Sequence, residues 1–131
     1  MDILEVVHNF NTLIERDKTR PGDAERTALF WILSGNTDLF EKSSSIYDFD
    51  DHFIKPDVLE NGIVDFCSGS RSLVKLGFNL FNSFPADVIN TFCTLDSDNF
   101  ELAIEAIKIR FNHDEDVKNF DVPTSPPKKA D

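Results

Sequence analysis

From Ile3 onward, apolar residues recur at helical spacing: Ile3, Val6, Val7, Phe10, Leu13 and Ile14 share one side, while Asp2, Glu5, Asn9, Thr12, Glu15 and Arg16 fall on the other. That periodicity predicts an amphipathic helix. It ends before Arg20-Pro21-Gly22-Asp23, where Pro restricts the preceding residue and Gly supplies a permissive turn. Asp23 is then the expected N-cap of a second helix running through Ala28-Leu29-Phe30-Trp31-Ile32-Leu33 to about Ser34, with Gly35 closing it. Two helices joined by so short a turn should pack antiparallel.

A short helical turn is expected over Thr37 to Lys42, broken by the run Ser43-Ser44-Ser45. From Ile46 to Phe66 aromatics alternate irregularly with acids, and Pro56 and Gly62 interrupt the pattern. A loop carrying one helical turn at Pro56 to Glu60 fits, as does a small hairpin; the loop is the preferred reading. Ile46, Phe49, Phe53, Ile54 and Leu59 should pin it onto the helices, since so apolar a segment gains little by staying in water. Ser70 or Ser72 can cap a further helix, in which Leu73, Leu76, Gly77, Leu80 and Phe84 form one stripe and Val74, Phe78 and Phe81 another. A helix apolar on most sides is expected at the centre of the domain.

Pro85 suits the first turn of a short helix to Phe92, and Asp98 with Glu101 forms a capping-box variant that opens the last helix. Its predicted core stripe is Phe100, Ala103, Ile104, Ile107 and Phe111, flanked by Leu102, Ala106 and Ile109, with Glu105 and Lys108 paired on the solvent edge. The expected fold is therefore all-α: a compact bundle of about five or six helices over residues 1–111, with one irregular acidic connecting segment. Residues 112–131, with three prolines, clustered charge and little apolar content, read as a disordered tail.

The segment Ile46-Tyr47-Asp48-Phe49, then Ile54 to Leu59 with Gly62, then Ser72-Leu73 leading into Leu76-Gly77-Phe78-Asn79-Leu80-Phe81-Asn82, and finally Glu105 to Phe111 resembles a family of small uncharacterised proteins from Gram-positive bacteria. The resemblance spans roughly residues 28–111. It implies a small, mainly helical domain from a bacterium or its mobile elements and carries no activity to transfer.

Composition narrows the functional classes. The chain has 131 residues, 24 acidic against 13 Lys and Arg, hence a formal net charge of -11; the pI is near 4.5 and the mean hydropathy -0.26. This length and composition fit one soluble globular domain. Net acidity argues against direct nucleic-acid binding, which draws most of its non-specific affinity from clustered Lys and Arg, and against an anionic membrane surface. No apolar run is long enough to span a bilayer and no secretory leader pattern opens the chain, so a cytoplasmic location is expected. Thirteen Phe against one Trp and one Tyr supply ample core material. Cys67 and Cys93, each within an apolar stretch, read as buried free thiols.

Candidate chemistry is sparse. Asp48, Asp50 and His52 alternate like the start of a calcium loop, but Phe53 and Leu59 stand where that loop needs Gly and Glu. His8, His52 and His113 show no paired ligand spacing, His8 being placed at the edge of the first helix. Neither cysteine has basic neighbours in sequence, and Ser68-Gly69-Ser70 reads as the loop and cap before a helix rather than a nucleophile elbow. The glycines form no phosphate cradle. No cofactor, metal or catalytic residue is expected. Pro123 to Lys128 fits the loose pattern of polyproline II ligands, for which a solubilising tail is the simpler reading.

What survives is the distribution of charge. Residues 38–65 carry eight acids and two bases, more than half of the net charge in about a fifth of the chain. Aromatics interleave with these acids, which predicts a surface for a protein partner with a basic patch. Asp48, Asp50, Asp51, Asp57, Glu60 and Asp65 are the expected contacts, with Tyr47 and Phe53 as aromatic anchors. The function read from this is binding without catalysis, most concretely an acidic inhibitor occupying the nucleic-acid channel of a restriction or CRISPR effector. The alternative is a bacterial interaction or toxin-antitoxin component acting through an apolar helix face or as a homodimer.

Overall fold

A computed structural model describes residues 2–60 and 62–112; the tail expected over 112–131 and its proline motif lie outside the described residues except for Asn112. Among the described residues the chain forms seven α-helices, a 3-10 turn and one two-stranded hairpin. The helices are α1 (Ile3–Asp17), α2 (Ala24–Ser34), α3 (Thr37–Glu41), α4 (Ser43–Ile46), α5 (Ser68–Asn82), α6 (Val88–Phe92) and α7 (Ser97–Arg110). The all-α expectation holds. None of the described helices is long and apolar enough to cross a membrane.

The turn between α1 and α2 follows its sequence. Gly22 sits at φ 85° and the Asp23 amide donates to Arg20 O at 3.2 Å, as a Pro-Gly turn of type II allows. Asp23 caps α2 through a 3.0 Å bond from the Arg26 amide. From Ala28 to Ser34 every residue of α2 is buried, and the helix packs against α1, α5 and α7. The central helix is thus α2 and not α5. On α5 the two predicted stripes merge into one wide buried face, with Lys75 left in solvent and Phe84 beyond the helix end, partly buried against the core. Ser34 tolerates the interior because its hydroxyl donates to Phe30 O at 2.6 Å, while Asn9 Nδ2 donates to Ser34 O at 3.3 Å.

Gly35 and Gly77 mark close approaches of helices. A Cβ on Gly35 would overlap Leu102 Cδ1 of α7, and one on Gly77 would lie 2.8 Å from Leu29 Cδ1 of α2. Gly35 has φ -93°, so it ends α2 without the left-handed turn common at this position; the neighbouring helix requires it.

Other expectations shift. The short helix ends at Glu41, but the serine run is itself helical: Ser43 Oγ donates to Phe40 O at 2.6 Å and α4 follows after Lys42. Helix α5 begins at Ser68, earlier than a Ser70 or Ser72 cap implies, and Ser70 is buried inside it. Asp87 caps α6 through the Asn90 amide at 2.7 Å, so Pro85 precedes that helix. Asp96, and not Asp98, caps α7 by accepting from the Asn99 amide at 2.9 Å. The buried face of α7 is Leu102, Ala103, Ala106 and Ile109, leaving Phe100 and Phe111 exposed. Both cysteines are exposed, contrary to the expectation of buried thiols.

Candidate functional site

The irregular segment resolves into the hairpin that the sequence left as the second choice: β1 (Tyr47–Asp48) pairs antiparallel with β2 (Phe53–Ile54), followed by the 3-10 turn Pro56–Leu59. Two features close it. The Asp48 carboxylate accepts from the Asp50 amide at 2.9 Å and the Asp51 amide at 3.0 Å, and the His52 amide donates to Asp48 O at 2.7 Å. Backbone bonds from Asp51 and Asp50 hold the Asp48 carboxyl below the usual carboxylate range. His52 then takes the left-handed conformation at φ 59°, which lets the chain turn back. The alternation Asp48, Asp50, His52 therefore builds a turn. Among the described residues, no group of three or more His, Cys, Asp or Glu is placed to hold a metal ion.

Side chains bind this hairpin to the helices through Asp17, the last residue of α1, whose side chain is 1% exposed. Its Oδ1 accepts from Tyr47 Oη at 2.8 Å and faces His52 Nδ1 at 2.7 Å; its Oδ2 accepts from Thr19 Oγ1 at 2.6 Å. Arg26 of α2 completes the group. Its Nε donates to Tyr47 Oη at 2.8 Å, its Nη1 pairs with Asp23 at 3.1 Å, and its Nη2 donates to His52 O. An ionised buried carboxylate without such donors would be costly. The aromatic side of the hairpin packs inward: Tyr47 meets Phe30 edge-on at 5.0 Å and Phe49 at 4.9 Å, and Arg16 lies 4.0 Å above the Phe49 ring.

The expected contact residues therefore separate. Tyr47 is 0% exposed and is an internal anchor, which corrects its reading as a surface anchor: its hydroxyl is spent on Asp17 and its ring on the core. Asp48 is half-buried and engaged in the turn. Asp50 and Asp51 are exposed at the tip, and Phe53 beside them is 48% exposed, leaning on Phe81 at 5.3 Å. Asp57, Glu60 and Asp65 are exposed farther along the chain, where Lys42 Nζ donates to Asp65 O. No pattern along the chain points to the cluster around Asp17. The signal available in the sequence was slight: the lone tyrosine, and an acid two residues before a threonine at a helix end.

No curated protein and no solved structure matches the chain. A family model covering almost all of the described domain does match. The chain belongs to DUF6075, a family of unknown function, whose model matches residues 5–122.

Proposed function

We propose that the protein is a non-catalytic binding protein whose acidic hairpin tip engages a basic protein surface. One observation carries this reading: Asp50 and Asp51 stand exposed on a turn held closed by Asp48 and anchored by Asp17, with the half-exposed Phe53 ring beside them. Because the turn is already ordered, little conformational entropy is lost on docking, and acids around an aromatic anchor suit a cationic groove. The most concrete form is an inhibitor, encoded by a phage or mobile element of a Gram-positive bacterium, that occupies the nucleic-acid channel of a restriction or CRISPR enzyme in the host cytoplasm. The net charge of -11 supports it.

The test is protection of a targeted plasmid in cells carrying an active restriction or CRISPR system. Expression of the chain should raise transformation efficiency, and the Asp50→Asn/Asp51→Asn/Phe53→Ala variant should abolish the effect. The isolated complex should weaken steeply between low and roughly 0.5 M salt, where the screening length falls below about 5 Å. Full protection by the variant, or a tight complex indifferent to salt, overturns this reading.

A second reading rests on a different surface. Val88 and Ile89 of α6 are strongly exposed, and Phe100, packed on Phe92 at 5.6 Å, is also exposed. This apolar patch favours a homodimer or an interaction component of toxin-antitoxin type. Light scattering decides it: a salt-resistant dimer that Val88→Asp/Ile89→Asp converts to monomer supports the second reading, and a monomer at all concentrations removes it.

A further inference from the structure

The cleft beside Asp17 carries more than the docking of the hairpin requires. Thr19 and Tyr47 already give the carboxylate two hydrogen bonds, yet His52 adds its Nδ1 at 2.7 Å from a side chain that is 48% exposed. An ionised carboxylate only accepts, so the Nδ1 proton points at Asp17 and Nε2 is the ring nitrogen left for another group. Lys18 and Arg20 border the same cleft, both exposed and neither in an ion pair among the described residues. Lys18, like His52, has a left-handed backbone, with φ 57° against 59°, and both residues line the cleft.

The two acids that line the cleft are already engaged, while Asp50 and Asp51 of the neighbouring turn do not line it. Asp23 caps α2 and pairs with Arg26 at 3.1 Å, while Asp17 is covered by its donors. In a chain of net charge -11 the open groups at this cleft are therefore cationic or hydrogen-bonding. Its volume of about 480 Å³ lies within the range of small-molecule sites.

We propose that this cleft binds the phosphoryl group of a small phosphorylated ligand. The planar fork of Arg20 suits two phosphoryl oxygens, Lys18 supplies a point charge, and His52, with Nδ1 on Asp17, donates from Nε2 to a further oxygen when its ring is the imidazolium. The site lies behind the hairpin whose tip carries the proposed partner surface, but it does not depend on that partner.

The experiment is a titration of the full chain, labelled with nitrogen-15, with inorganic phosphate and separately with glucose 6-phosphate, each against sodium chloride at matched ionic strength. Saturable amide shifts at Lys18, Thr19, Arg20 and His52 are expected with the phosphoryl compounds and not with chloride. Lys18→Gln/Arg20→Gln should weaken binding by about tenfold or more, which corresponds to about 1.4 kcal/mol. His52→Asn, which tolerates the left-handed backbone, should weaken it while leaving the remaining spectrum folded. Shifts that match those in chloride, or an affinity unchanged in the double variant, overturn the proposal. Because no partner protein is present, the outcome is independent of whether the acidic tip inhibits a defence enzyme.

Discussion

Tyr47 and Asp17 lie thirty residues apart in the chain, yet the phenol donates to the Asp17 carboxylate at 2.8 Å in the interior. The same oxygen faces His52, so one carboxylate at the end of α1 holds both β1 and the turn that leads into β2.

Removing that carboxylate should be severe. Asp17→Ala leaves the Tyr47, Thr19 and His52 donors without their acceptor and should cost about 3 kcal/mol of unfolding free energy, the range for breaking a buried polar network. Tyr47→Phe keeps the ring and removes one donor, so about 1 kcal/mol is expected. Urea denaturation of both variants and of the double variant gives the coupling, which should be clearly non-zero for residues in direct contact.

The phenol also sets a pH limit. Burial raises the Tyr47 pKa well above its ordinary value of about 10, with Asp17 acting in the same direction and Arg26 opposing. In the unfolded chain the phenol ionises near pH 10; in the folded chain it keeps its proton. Its contribution to stability is thus complete below about pH 10 and is lost as pH rises beyond it. Since Tyr47 is the lone tyrosine, absorbance at 295 nm reads it directly. Little tyrosinate should form until the protein unfolds in alkali, whereas a smooth titration near pH 10 in folded protein would contradict this placement.

Gly77→Ala tests the approach of α5 to α2. Ala is favoured over Gly inside a helix by about 1 kcal/mol, but its Cβ would lie 2.8 Å from Leu29 Cδ1, and Leu29 is completely buried. Overpacking costs about 1–3 kcal/mol, so a net loss of about 1 kcal/mol is expected. Thermal melts should show a lower midpoint, and Leu29→Val in the same chain should recover part of it.

The two exposed thiols should differ in reactivity. Cys67 stands at the N-cap of α5, where the Ser70 side chain and then the Ser70 and Gly69 amides lower its pKa, mainly by hydrogen bonding to the thiolate. Cys93, at the end of α6, lies near Asn90 O, with its Sγ 3.6 Å away. Alkylation with iodoacetamide at pH 8, followed by mass spectrometry, should label Cys67 faster; equal rates would remove the distinction.

Local rules made α1, the Pro21-Gly22 turn and the Asp23 cap legible, because each depends on residues within one helical turn. The face of α7 was not legible. Phe100, Ala103, Ile107 and Phe111 fit helical spacing as well as the face that is buried, and what decides is tertiary: Leu102 packs against Gly35, and small Ala103 and Ala106 let α7 lie close to α2. The start of α7 failed for a related reason, since Asp96 and Asp98 both qualify as caps until the Asn99 amide chooses Asp96. The Asp17 cluster was hidden because its donors come from positions 19, 47 and 52, and no pattern along the chain links them. The concentration of acid in residues 38–65 was visible, but not that Asp48 would be used within a turn while Asp50 and Asp51 remained outside.

With only two residues in each strand, the hairpin has almost no ladder of its own, and much of its hold on the helices runs through polar side chains around Asp17. It should therefore behave as a separate unit of local opening. Native-state hydrogen exchange should show the His52 amide, bonded within the hairpin, opening at lower free energy than the amides of α2, and Asp17→Asn should lower the former more than the latter. A single buried carboxylate would thus govern how often the acidic tip leaves its anchored position.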